Sequence, residues 1–216
     1  SSAVILFQKG EDCSDAIKSY INYREQNPLI EFYHSILPLI IQDDTQYVGI
    51  SVNYSGQIIP AITLAALIKK AFSRVKIIFG GSLFPAYANK ISALNIFAEY
   101  SDALIIYAGE YPWNNIIEYD TLDYIPGCMR SNGHSFIHNN LPLPQIKRAL
   151  PDFSDYSLQR YLVPHNILPY AMSIGCYWGK CSFCGYQSYK DICVKRYAQN
   201  DIDLGNYVFD DLYRLY

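Results

Sequence analysis

Apolar residues along this chain come in short runs, separated by polar, glycine or proline breaks. Residues 3–7 (AVILF) form one continuous run and predict a strand. Ser14 suits a helix N-cap, and the helix it predicts runs to about residue 26, where Asn27-Pro28 breaks it. Pro28 can open a second helix over 29–41, in which apolar positions recur at three and four. Residues 47–53 (YVGISVN) predict a buried strand, and 61–73 a helix with Pro60 near its start. Residues 75–79 (VKIIF) predict the next strand, stopped by Gly80-Gly81. A helical stretch to about residue 100, a strand over 103–107 behind Asp102, and a helix over 113–119 behind Gly109-Glu110 continue the alternation. Strands separated by helices in this order predict βαβ units. The fold expected is α/β, a doubly wound parallel sheet covered on both faces.

The pattern changes after residue 119. Residues 127–137 read as a hairpin turned at Asn132-Gly133, the strongest short-range hairpin signal. Leu141-Pro-Leu-Pro144 and Leu150-Pro151 then predict an extended, semi-rigid connector. The chain thus divides into an α/β unit over 1–120, a hairpin and linker over 121–150, and a further unit over 151–216, with the boundary near residue 145. In the last unit, residues 167–174 predict a strand and 201–216 a helix. Between them lies Gly175-Cys-Tyr-Trp-Gly-Lys-Cys-Ser-Phe-Cys-Gly185.

Composition narrows the classes of function. Half of the residues are hydrophobic and 17% are charged, enough apolar material for a core. A net charge of −3 gives no electrostatic case for a nucleic-acid partner. The longest apolar run, 58–68, is interrupted by Pro60 and falls short of the ~20 residues that span a bilayer. No basic segment leads into a hydrophobic core at the N-terminal end, and half of the six cysteines are bunched in one loop. Both point to a cytoplasmic protein with reduced thiols. Cys13, Cys128 and Cys193 read as ordinary thiols.

Cys176, Cys181 and Cys184 are spaced C-x4-C-x2-C, with glycines around them that let the backbone wrap closely about something small. Thiolates this dense suit a soft metal or an iron–sulfur cluster. Three sites share the signal. A structural zinc site would take Cys193 or His165 as its fourth ligand. A plant-type 2Fe–2S site has the same spacing, but needs a distant fourth cysteine and has no use for the preceding α/β unit. A 4Fe–4S cluster held by three thiolates leaves one iron open to a ligand. A ligand loop directly after a strand suits the active face of a β/α barrel, which favours the open cluster, with zinc as the alternative.

Ile174-Gly-Cys-Tyr-Trp-Gly-Lys-Cys-Ser-Phe-Cys-Gly185 resembles the signature of the radical S-adenosylmethionine enzymes, down to the aromatic Phe183 before the last cysteine. The usual spacing in that superfamily is C-x3-C-x2-C. The extra residue here is similar to a variant associated with an N-terminal cobalamin-binding domain. Val48-Gly-Ile-Ser-Val52, Ile77-Ile-Phe-Gly-Gly81 and Ala103-Leu-Ile-Ile-Tyr-Ala-Gly-Glu110 resemble the last three strands of that domain. The hairpin resembles its small insert, and Pro151-Asp-Phe-Ser-Asp155 the linker. The resemblance spans residues 45–216.

The resemblance implies that Cys176, Cys181 and Cys184 each bind one iron, and that the fourth iron chelates S-adenosylmethionine. Reductive cleavage would yield a 5′-deoxyadenosyl radical, with Tyr177, Trp178 and Phe183 shielding the cluster. It further implies an electron donor, an organic or peptide substrate, and a cobalamin whose nucleotide tail docks near Ser51, Gly80 and Gly81, with Gly109 and Glu110 at the next strand end. Methyl transfer is one reaction of that kind. Each residue also has a plainer role: a tight turn for the glycines, a satisfied hydroxyl for Ser51, a helix-start carboxylate for Glu110. The cobalamin-ligating D-x-H-x-x-G motif is absent. His34 lacks the flanking Asp and Gly, and His134 and His138 read as hairpin surface residues. Leu168 to Tyr216 supplies about one βα unit of a barrel that takes ~250 residues. The first strand of the cobalamin-like unit is missing as well, so the expectation is a fragment, inactive by itself. The rival class is a non-catalytic α/β ligand-binding module with a zinc-stapled tail.

Overall fold

The computed structural model describes residues 13–86, 95–106, 109–139, 141, 150–178, 180–182, 197–199 and 202–216. The strand expected at residues 3–7, the middle of the proline-rich connector, Phe183, Cys184 and Cys193 lie outside the described residues.

Helices α1 (Cys13–Asn22) and α2 (Leu29–Ile40) precede the first strand. Ser14 lies inside α1 rather than capping it. Strand β1 (Tyr47–Ser51) leads through α3 (Ile58–Ala71) to β2 (Lys76–Gly80). Pro60 falls in the first turn of α3, where a missing N–H leaves no hydrogen bond unmade. Two short helices, α4 (Leu83–Ala86) and α5 (Asn95–Glu99), lead to β3 (Ala103–Ile105), and α6 (Glu110–Tyr119) follows. The hairpin then provides β4 (Cys128–Ser131) and β5 (Phe136–Ile137).

These strands make one five-stranded sheet in the order β1-β2-β3-β4-β5. The pairs β1–β2 and β2–β3 are parallel, with Ser51 opposite Gly80 and Phe79 opposite Leu104. The hairpin is part of the sheet. It pairs antiparallel with β3, Ala103 opposite Arg130 and Ile105 opposite Cys128. The fold is mixed α/β, and the sheet is mixed rather than wholly parallel. The antiparallel pairing of β4 with β3 makes it so, and β4 suits an interior place because Cys128 and Met129 are both buried, one on each face. Among the described residues the strand order does not reverse.

Alternation along β2 sends Ile77 and Phe79 to one face and Ile78 to the other. The larger core, under α1, α2, α3 and α5, centres on Phe79, Phe84 and Phe97. Phe97 meets the other two edge-on at 5.0 Å between centroids. The smaller core gathers Ile78, Ile105, Ile116, Ile125 and Cys128 beneath α6. There Trp113 lies against Gly49, where a Cβ would stand 3.0 Å from the indole ring.

Two polar residues lock these layers. Asn27 is fully buried; its amide donates to Thr63 Oγ1 of α3 at 3.0 Å, and its Oδ1 accepts the Leu29 N–H at 3.1 Å. Asn27→Ala strands both partners and is expected to lower stability by about 1–3 kcal/mol in urea unfolding. Asp102 ties three elements. Its Oδ2 accepts the Ile77 N–H at 2.8 Å, its N–H donates to Ile77 O at 2.8 Å, and Lys69 of α3 approaches Oδ1 at 3.3 Å.

A second sheet pairs β6 (Ser173–Gly175) antiparallel with β7 (Tyr197–Gln199), followed by α7 (Ile202–Leu215). The strand expected over 167–174 is confined to its end. Helix α7 packs on the preceding segment through Gly205, where a Cβ would meet Met172 Cε at 2.4 Å. Its buried face carries Val208 and Leu212. Beyond its end, the Tyr216 hydroxyl donates to Asp152 Oδ1 at 2.9 Å and accepts the Phe153 N–H at 2.6 Å.

Candidate functional site

Parallel register brings Ser51 and Gly80 side by side at the carboxyl edge of the main sheet, with Gly81 next in line. This is where ligands of open α/β sheets dock. The edge is closely knit. Val52 N–H donates to Gly80 O at 2.7 Å, and Leu83 N–H to Val52 O at 3.1 Å. Gly81 has φ +109, and a Cβ on it would stand 2.4 Å from Val52 O and 2.6 Å from Val52 N. Its missing side chain therefore serves the contact of two backbones. At Gly80 a Cβ would make only ordinary contact, 3.7 Å from Ile105 O.

Asn53 and Gln57 complete the knot, in a role that no sequence pattern marks. Asn53 Oδ1 accepts the Ser82 N–H at 3.0 Å, while its amide donates to Ser51 Oγ at 3.3 Å. Gln57 Oε1 accepts the N–H groups of Asn53 and Tyr54 at 2.7 and 3.2 Å. Ser51 is thus an exposed hydroxyl with a partner of its own. Gly109 stands at the head of α6, accepting the Trp113 N–H at 2.9 Å, with open space where a Cβ would be. Exposed Glu110 occupies the first turn of α6, favourable to the positive end of the helix dipole.

The cysteines belong to the other sheet. Strand β6 ends at Gly175 opposite Tyr197, so Cys176 is the first residue beyond the ladder. Cys176 and Cys181 are both half-buried. Tyr177 and Trp178, expected as shields, expose 78% and 56% of their surface. Lys180 holds its ammonium 5.3 Å from the centroid of the Trp178 ring. His165 is exposed, as are His34, His134 and His138. Among the described residues no three His, Cys, Asp or Glu side chains form a metal-binding group, and the third cysteine of the triplet falls outside them. No described helix is long and apolar enough to cross a membrane.

Cys128 differs from the loop cysteines. It is 1% exposed, and burial first, then the Asp123 carboxylate, pushes its thiol up to about 12. Tyr47 is pushed up to about 12 as well, by burial and then by its hydrogen bond to Asp120. In the unfolded chain these groups lose protons from about pH 9 and pH 10, whereas the folded chain keeps them. Stability is therefore complete below pH 9 and falls as pH rises towards 12. Urea midpoints at pH 8 and 10.5 should show the fall, and Cys128→Ala should make it shallower.

Set against protein-family models, curated proteins and solved structures, the chain matches none of them.

Proposed function

We propose that the loop between β6 and β7 is the iron–sulfur site of a radical S-adenosylmethionine enzyme. The observation that carries this reading is the antiparallel ladder closing the base of the loop, Gly175 opposite Tyr197, with Cys176 directly beyond it. The ladder fixes where the ligand run begins. Cys176 and Cys181 stand half-buried, neither sealed in a core nor fully in water. Thiolates in such surroundings can reach an iron, and soft sulfur donors suit it.

In this reading Cys176, Cys181 and Cys184 would supply three thiolates, leaving one iron open to the amino and carboxylate groups of S-adenosylmethionine. When bound, the cluster supplies a low-potential electron that cleaves the sulfonium to an organic radical. The chain's own task is to hold the thiolates and fix the loop ends through β6 and β7. A cobalamin tail would dock along the carboxyl edge, where the Val52 backbone fills the space at Gly81 while Gly56 and Gly109 stand open.

Anaerobic reconstitution of the chain with iron and sulfide should give about four irons per chain and a broad visible absorption. A preparation that takes up zinc and excludes iron would overturn the reading in favour of a zinc-stapled tail.

A further inference from the structure

We propose that Asn132 is a modification site, the position at which this chain deamidates, and that the hairpin's own hydrogen bonds set how fast it does so. It is the only asparagine in the sequence followed by glycine. Both residues are exposed between β4 and β5, and nothing lies within 4 Å of where a Cβ on Gly133 would stand. No side chain therefore screens the Gly133 nitrogen, the nucleophile of the reaction. That nitrogen attacks Asn132 Cγ, the Cγ–Nδ2 bond breaks, and ammonia leaves with the proton lost from the glycine. Water then opens the cyclic imide. Opening at Cγ gives aspartate, whereas opening at the main-chain carbonyl gives isoaspartate, whose backbone runs through Cγ and is one methylene longer. Water enters and ammonia leaves, with no oxidant or cofactor.

The fold holds both reacting groups. Gly133 N–H donates to Ser131 Oγ at 3.0 Å, and that hydroxyl is itself anchored to Ala98 O at 2.5 Å. Asn132 Oδ1 accepts the N–H groups of His134 and Ser135 at 2.9 and 2.8 Å. Ring closure must break the first bond and turn the amide out of the other two. The folded hairpin thus slows a reaction that its sequence favours. The two products differ in their effect. An aspartate carboxylate accepts the same two N–H groups, with the added strength of its charge. The isoaspartate methylene instead enters where Ser131 pairs with Phe136 and Asn132 N–H donates to Ser135 O at 3.1 Å, so it opens the hairpin.

The test is incubation of the chain at mildly alkaline pH, with and without urea, followed by peptide mass mapping of amide-to-acid conversion. Conversion should fall on Asn132 and run faster in urea than in the folded chain. Ser131→Ala frees the Gly133 N–H. It should speed the folded chain by about two- to tenfold, the rate equivalent of one neutral hydrogen bond, and leave the rate in urea unchanged. Asn132→Asp should keep the wild-type urea midpoint, whereas the isoaspartate form, separated by chromatography, should unfold at lower urea. Conversion concentrated at another asparagine overturns the site. A folded wild-type chain that reacts as fast as the unfolded one overturns the hairpin's control, as does a folded Ser131→Ala variant no faster than wild type. Should Ser131→Ala fail to fold, the wild-type comparison decides alone.

Discussion

Gly81→Ala is expected to lower the stability of the main sheet by about 3–5 kcal/mol, while Gly80→Ala next to it leaves stability unchanged or slightly raised. At Gly81 two penalties coincide. The backbone has φ +109, which L-residues rarely adopt and which costs roughly 1–3 kcal/mol. The new Cβ would also stand 2.4, 2.6 and 2.8 Å from three backbone atoms of Val52. Those atoms are held by hydrogen bonds to Gly80 and Leu83, so relief requires moving β1 against β2. Overpacking of that kind adds about 1–3 kcal/mol. Domains are stable by only about 5–15 kcal/mol, so the loss is a large share of the total. At Gly80 the nearest atoms are 3.7 and 3.8 Å away, and alanine in a strand regains up to ~1 kcal/mol of backbone entropy over glycine. Urea titrations with an unchanged slope would show the contrast as a shift in midpoint. Equal losses from the two variants would mean that the backbone contact with Val52 is not the reason for Gly81.

The other large effect concerns the loop. Cys181→Ala should reduce iron from about four per chain to near zero, because two thiolates cannot retain a cluster that needs three. Cys193→Ser should retain the iron. The pair of variants separates the two metal readings, since a zinc site using Cys193 as fourth ligand would lose metal in both. Circular dichroism should show both variants folded, because the described core of the main sheet is built from residues 17–136.

Much of the main sheet was legible in the sequence. The apolar runs of β1 and β2 are bounded by Asn53 and by Gly80-Gly81, and observed strand ends fall within a few residues of those marks. Asn27-Pro28 and the three-and-four spacing placed α2 in the same way. Local chemistry fixes such boundaries, and local chemistry is what a sequence displays. Pairing between distant segments was hidden. Asn132-Gly133 announced a hairpin, and Gly133 does have φ +87, but nothing in residues 128–131 says that β3 is their partner. The same blindness made Gly80 and Gly81 look alike, although only at Gly81 would a Cβ collide with the Val52 backbone. In the sequence Asp102 is only the residue before a strand; in three dimensions its carboxylate accepts the Ile77 N–H. Strand β7 leaves no mark in the sequence. Its Tyr-Ala-Gln has no apolar pattern, and it is a strand because β6 offers it an edge. At the candidate site the cysteine spacing was plain, whereas the lysine resting on Trp178 could be found only in three dimensions.

The β6–β7 ladder has a thermodynamic consequence for whatever the cysteines hold. Bringing the ends of a loop together has an entropic cost that grows slowly with length, about 0.6 kcal/mol for each doubling. In this chain the ladder meets that cost when Gly175 pairs with Tyr197, before any metal arrives. On the iron–sulfur reading the thiolates would then need only local ordering, and affinity would rise accordingly. The linkage is reciprocal: metal bound across the loop must stabilise the ladder by as much as the ladder strengthens the metal. On that reading, a change at Met172 or Gly205, where α7 meets the residue before β6, would weaken metal binding without touching a ligand.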